Sequence, residues 1–228
     1  MKKDRLIAAL DVESLDEARR FVRLLQKDVT FFKVGLRLFT AAGYDVVRMI
    51  HSEGGRVFLD LKFHDIPNTV AQACEAAARL HVAMANVHAS GGSAMMQAAA
   101  KGWKEGWKKG QGGADSQTLL AVTVLTSDQG EATGRVVDLA QSAQAAGLGG
   151  VVCSVHEAAA VRQACGKHFV IVTPGIRLPG EPLNDQKRTA TPAEAAQAGA
   201  DFIVVGRPIL EAADPLAAVR AIHRDLGS

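Results

Sequence analysis

Arg56-Val-Phe-Leu-Asp60-Leu-Lys62-Phe-His-Asp65-Ile-Pro67-Asn-Thr69 is the stretch from which the rest of the chain can be read. An apolar strand over 56–61 runs out into two acids and a lysine, and a helix begins near Pro67, a residue suited to a first helical turn. Successive strand residues point to opposite faces, so Asp60 and Lys62 are expected side by side, with Asp65 just beyond in the loop. A lysine between carboxylates stays charged and can hand over a proton. Asp11 and Lys33 end two earlier strands in the same way, which points to an enzyme whose catalyst is an array of charged side chains.

On either side of this stretch the strand-then-helix pattern repeats. Strands are expected at 6–11, 31–34, 56–61, 82–88, 119–125, 150–153, 169–172 and 202–205. The helices between and after them are expected at 14–27, 36–53, 67–80, 92–109, 131–146, 155–165, 192–198 and 208–225. Ser14, with Glu17 three residues on, has the pattern of a capping box. Eight such units in 228 residues match an α/β fold of the (β/α)8 TIM-barrel type, one domain spanning 1–228. A doubly wound open sheet is the alternative. Closure is favoured by the count of eight and by polar residues gathering at the carboxyl ends of the strands, where such barrels place their active sites.

With 48% hydrophobic residues and a mean hydropathy of +0.07, the chain can bury a sizeable core. A net charge of +2 does not advertise nucleic acid or membrane as a partner, and no apolar run is long enough to span a bilayer. The amino terminus leads directly into a strand without a signal-peptide pattern, so a cytoplasmic address is expected. Cys74, Cys153 and Cys165 form no C-x-x-C pair and suit a reducing compartment. Lys101 to Gly113 is basic and carries Trp103 and Trp107 four residues apart; it is read as an outer helix packing its tryptophans on a neighbour.

Strand five runs out into Thr126-Ser127 and strand eight into Gly206-Arg207, so all these ends face one mouth. Thr173-Pro-Gly-Ile-Arg177, Gln186 and Val205-Gly-Arg-Pro208 together suggest an anion site. The loops after strands seven and eight of such barrels commonly hold phosphate, and Arg207 offers a planar fork for it. The polar stretch Arg177 to Ala190 has the character of a lid. His64 is expected to shape its loop, and His88 is given no role. Zinc spacing, a G-x-G-x-x-G fingerprint and a P-loop are all missing, so metal, nicotinamide and ATP sites have no support in the sequence.

These residues closely resemble those of bacterial orotidine 5'-phosphate decarboxylases, from strand one to the last helix. The resemblance rests on Asp60-x-Lys62-x-x-Asp65-Ile66-Pro-Asn-Thr69, on Asp11 and Lys33 before it, and on Ala121-Val-Thr-Val-Leu-Thr126-Ser, Arg177, Asp185-Gln186 and Gly206-Arg207 after it. It implies orotidine 5'-monophosphate as substrate, UMP and CO2 as products, and no metal or organic cofactor. Lys62 would be the proton donor, held by Asp60 within an array of Lys33, Asp60, Lys62 and Asp65. The family pattern brings Asp65 and Thr69 from the neighbouring subunit, which implies a homodimer with shared sites. Asp11 and Lys33 would bind the ribose hydroxyls, Ile66 and Thr69 would also contact substrate, and Thr126 would meet the pyrimidine ring. Arg177, Gln186, Gly206 and Arg207 would hold the phosphate. The stretch Lys101 to Gly113 looks longer and more basic than a compact member needs. The D-x-K-x-x-D core alone is shared with metal-dependent sugar-phosphate decarboxylases, which remain the nearest rival; a non-catalytic phosphate-ligand binder is a more distant one.

Overall fold

Strands with apolar side chains on both faces need cover on both sides, and a barrel ringed by helices supplies it. The structure is a computed structural model that describes residues 5–110, 117–124, 133–178 and 189–227. Its strands are β1 (Leu6–Ala9), β2 (Phe31–Gly35), β3 (Arg56–Phe63), β4 (Met84–His88), β5 (Thr118–Val122), β6 (Gly150–Val152), β7 (Val170–Thr173) and β8 (Phe202–Val205). They pair in parallel and in chain order, and β8 returns to β1 through Ile7↔Val204 and Ala8↔Val205, closing the barrel. The open-sheet alternative is therefore excluded.

Alternation along each strand divides the core in two. Ile7, Phe31, Phe58, Met84, Leu120, Val172 and Val204 cluster in the barrel interior, while neighbours such as Ala8, Phe32, Val57, Ala85 and Ile171 join the layer beneath the helices. At the amino-terminal end the Arg56 guanidinium lies 4.7 Å from the centre of the Phe31 ring, which meets Phe202 edge-on at 5.8 Å. A cation over aromatic rings plugs that end. The polar inward positions lie at the other end, where β2, β3 and β4 present Lys33, Asp60 and Asn86.

The helices are α1 (Leu15–Leu25), α2 (Leu36–Ala42), α3 (Tyr44–Ser52), α4 (Pro67–Arg79), α5 (Gly92–Lys109), α6 (Thr133–Ala145), α7 (Val155–Cys165), α8 (Pro192–Gln197), α9 (Arg207–Leu210) and α10 (Pro215–Asp225). Two expected helices are thus each divided. The 36–53 helix breaks at Gly43, whose φ of 56° and ψ of −139° no helix accommodates. The 208–225 helix breaks ahead of Pro215, with the Asp214 side chain accepting from the amides of Leu216 and Ala217 at 3.0 Å. Only half of the Ser14 capping box forms: Ser14 Oγ accepts from the Glu17 amide at 3.2 Å, but the Glu17 carboxylate turns to the Glu13 amide instead. The complete reciprocal box joins Thr191 and Glu194 ahead of α8.

In α5 the basic aromatic stretch packs as a partner of α4. A side chain at Gly102 or Gly106 would strike the carbonyls of Ala71 and Glu75, so these glycines let the two helices close on one another. Trp103 is 7% exposed, and Trp107 meets His81 edge-on at 6.4 Å. Residues 111–113 of that stretch lie outside the described residues. Among the described residues, no helix is long and apolar enough to cross a membrane. All three cysteines are buried and none is in a disulfide, and burial lifts the Cys74 thiol to about 12.

Candidate active site

Asp60 is the hub of the barrel mouth. β2 and β3 pair with Gly35 opposite Asp60, which brings the inward-facing Lys33 alongside: its Nζ is 3.1 Å from Asp60 Oδ2. Lys62 Nζ donates to Asp60 Oδ1 at 2.7 Å, and Asn86 Nδ2 donates to the same oxygen at 2.7 Å. Asp60 is only 8% exposed, so burial pushes its carboxyl upward. The charges of Lys33 and Lys62, with the hydrogen bonds from Lys62 and Asn86, more than offset this and hold it at about 2. Desolvation is tolerable because the charge is paired on both oxygens.

The ordinary carboxyl value is 3.8, so the folded state favours the ionised form. The resulting stabilisation is complete above 3.8 and is lost as pH falls toward about 2. Acid titration of the wild type alongside Asp60→Asn is expected to show their difference in unfolding free energy shrinking by about 2 kcal/mol across that window. A constant difference would mean that the carboxylate is not selectively stabilised.

Asp60 and Lys62 do meet, as alternation suggested, but by a different route. The β3–β4 register shifts between Leu59 and Phe63, and Lys62 has a φ of 52°, the left-handed region that non-glycine residues rarely occupy. Its backbone amide leaves the strand ladder and donates to Asn86 Oδ1 at 2.8 Å. The lysine is therefore turned by a bulge next to the site, not by regular pleating.

A cavity of about 440 Å³ opens above this hub, within the size range of small-molecule sites. Asp11, Lys33, Asp60 and Lys62 form its β1–β3 side, Val122, Val124 and Val152 its β5–β6 side, and Gly175, Arg177, Gly206 and Arg207 its β7–β8 side. One bound molecule can thus meet two ammonium groups, an apolar wall and two guanidinium groups. Arg177 is 7% exposed, and its backbone amide donates to Ala190 O at 3.0 Å, which ties together the two ends of the intervening segment.

Seven expected site residues therefore converge: Asp11, Lys33, Asp60, Lys62, Arg177, Gly206 and Arg207. Asp65, Ile66 and Thr69 do not line this cavity. All three are exposed, Ile66 at 66%, and Asp65 Oδ1 accepts from the Ile66 amide at 2.6 Å. Thr126 and Gln186 lie outside the described residues, as does most of the Arg177 to Ala190 stretch. His64 and His88 stack at 5.4 Å beside Lys62; burial first, then the charges of His64 and Lys62, lower the His88 imidazole.

Sequence reasoning missed Asn86 and the valine wall. Asn86 had a usable signal, as the one amide in Met84-Ala-Asn-Val-His88 at a position whose alternation faces the interior. The valines had none, because the same residues also build the core.

Residues 4–222 match the family described as orotidine 5'-phosphate decarboxylase / HUMPS. The chain is 49% identical to an orotidine 5'-phosphate decarboxylase of Moorella thermoacetica, covering 98% of this chain and 92% of the relative. It is 50% identical to the enzyme of that name from Syntrophotalea carbinolica, covering 99% and 96%. The crystal structure of orotidine 5'-phosphate decarboxylase from Lactobacillus acidophilus superposes with a TM-score of 0.83 at 38% identity, covering 99% of this chain and 100% of that one.

Proposed function

This chain belongs to the orotidine 5'-phosphate decarboxylase / HUMPS family, and on that premise we propose that it is a carboxy-lyase converting orotidine 5'-monophosphate to UMP and CO2, the last step of pyrimidine nucleotide synthesis. One observation carries the reading. The Lys62 ammonium is held 2.7 Å from a buried carboxylate, on the edge of a cavity whose far side bears Arg177 and Arg207.

When the bond to the carboxylate carbon breaks, CO2 departs and the electron pair stays on the pyrimidine ring carbon. Lys62 stabilises that developing charge and gives it a proton, forming the new C–H bond; the neutral amine then regains a proton from solvent. Asp60 keeps the ammonium in place, and Lys33 supplies a second cation to the same carboxylate. The valine wall excludes water from the ring, which strengthens these charge interactions. Asp11 and Lys33 face the ribose hydroxyls. Arg177, Arg207 and the backbone at Gly206 take the phosphate, and the resemblance assigns Gln186 to the same task and Thr126 to the ring.

The proposal extends to a cytoplasmic homodimer in which Asp65, Ile66 and Thr69 serve the partner's cavity. Their exposure, away from their own chain's cavity, supports this reading. No metal is needed, which separates the proposal from a metal-dependent sugar-phosphate decarboxylase. Following orotidine 5'-monophosphate by absorbance in EDTA tests the reaction: full turnover is expected, and absent or EDTA-abolished turnover would refute it. Combining inactive Lys62→Ala and Asp65→Ala subunits tests the sharing. Random pairing leaves about one quarter of sites with both native residues, so about a quarter of wild-type activity is expected. No recovery would show that Asp65 does not act across subunits.

A further inference from the structure

Asn86 is completely buried in the barrel interior and does not line the substrate cavity. Both ends of its amide are nevertheless committed to the active-site hub: Nδ2 donates to Asp60 Oδ1 at 2.7 Å, and Oδ1 accepts from the Lys62 amide at 2.8 Å. One planar group thus joins the carboxylate that holds the lysine to the backbone that presents it. That backbone sits at a φ of 52°, a conformation that costs about 1 kcal/mol or more unless its surroundings fix it.

We infer that Asn86 is the positioning residue of this site, a two-handed clamp that fixes the angle between Asp60 and Lys62 so that the ammonium points into the cavity. The inference rests on the reading of Lys62 as proton donor. Neither aspartate nor a hydroxyl replaces it well. An ionised carboxylate cannot donate to Asp60, and a serine is too short to span both groups. Leucine would fill the space but strand the Lys62 amide and one Asp60 lone pair. The neutral amide is the side chain that donates with one end and accepts with the other without adding charge. On the other side Asn86 pairs with Leu120 of β5 in the sheet register, so the strand opposite β3 offers an apolar residue there.

Two variants separate positioning from simple core packing. In Asn86→Ala, kcat is expected to fall about 10- to 100-fold with KM changed less than about threefold, because a buried hydrogen bond to a charged group is lost while the cavity lining stays intact. In Asn86→Asp, the introduced carboxyl keeps the shape and can donate to Asp60 only while protonated. The groups facing it are Asp60 and Lys62, with Lys33 behind Asp60 and His88 and His64 beyond Lys62. The two carboxyls would share a proton, so activity relative to wild type should rise as pH is lowered and fall as the proton is lost. Circular dichroism at each pH reports the folded fraction, to which rates are normalised. Wild-type kcat in both variants, a loss confined to KM, a flat pH ratio for Asn86→Asp, or failure of both variants to fold would overturn the inference. A wild type that does not decarboxylate orotidine 5'-monophosphate would instead overturn the underlying function.

Discussion

Lys62→Ala is expected to lose about 10⁴-fold or more in kcat for orotidine 5'-monophosphate while remaining folded and able to bind the nucleotide. Two contributions disappear together. General-acid catalysis by a positioned group is worth about 10² to 10⁴, and removal of a preorganised charge at a developing anion costs a further 10² to 10³, although the two are not independent. Folding survives because Asp60 keeps Lys33 at 3.1 Å and Asn86 at 2.7 Å, so the buried carboxylate is not left unpaired. Losing one of its two cations should nonetheless raise its carboxyl from about 2 toward the ordinary value. Lys62→Arg should be nearly as inactive, since guanidinium retains the charge but gives up its proton far less readily and cannot occupy the same position. UMP binding followed by calorimetry, alongside stopped or continuous assays, separates chemistry from affinity. Activity in Lys62→Ala within tenfold of wild type would remove this lysine from the reaction.

The parts of this site legible from sequence were those for which residue type and strand position said the same thing. Asp60 and Lys33 are charged residues at the ends of apolar strands, where only an inward, paired placement is affordable, and the structure pairs them directly. The barrel was legible because eight strand–helix units recur along the chain. Where backbone geometry decided the outcome, sequence spoke less clearly. Lys62 reaches Asp60 through a left-handed residue and a register shift, features set by the β4 partner and by Asn86, not by the local pattern. The helix breaks at Gly43 and ahead of Pro215 were marked by residues that interrupt helices, yet the apolar periodicity continues across both and masked them. Ser14 and Glu17 show the opposite case. The residues of a capping box are present, but the Glu17 carboxylate has a competing donor one residue earlier. Asp65 and Thr69 mark a different boundary: both are exposed and lie off their own chain's cavity, and the role the proposed homodimer gives them is one that a pattern within one chain does not display.

Arg207→Ala is expected to lower kcat/KM by about 10² to 10⁴, with part of that loss appearing in kcat. A bidentate, charge-assisted grip on phosphate involves two hydrogen bonds worth about 1.5 to 3 kcal/mol each. If that energy served only to hold the nucleotide, removing it would raise KM and leave kcat intact. The layout of the cavity argues otherwise. Arg207 enters after β8 and Lys62 from β3, so on the proposed reading the phosphate and the reacting carbon would be held by different walls. Fixing one end of the substrate sets the angle at which the other meets the ammonium, and remote binding energy is then realised in the transition state. A substrate without the phosphate supplies the control. Orotidine itself should be decarboxylated slowly and at the same rate by wild type and by Arg207→Ala, because neither can use the missing group. An unchanged kcat for the nucleotide, or a loss of equal size with orotidine, would show that Arg207 contributes affinity or structure alone. Arg177 should not substitute for it. That side chain is 7% exposed and donates to the Ile176 carbonyl at 2.9 Å, so it is held by its own loop stem and cannot swing across the cavity to replace a missing fork.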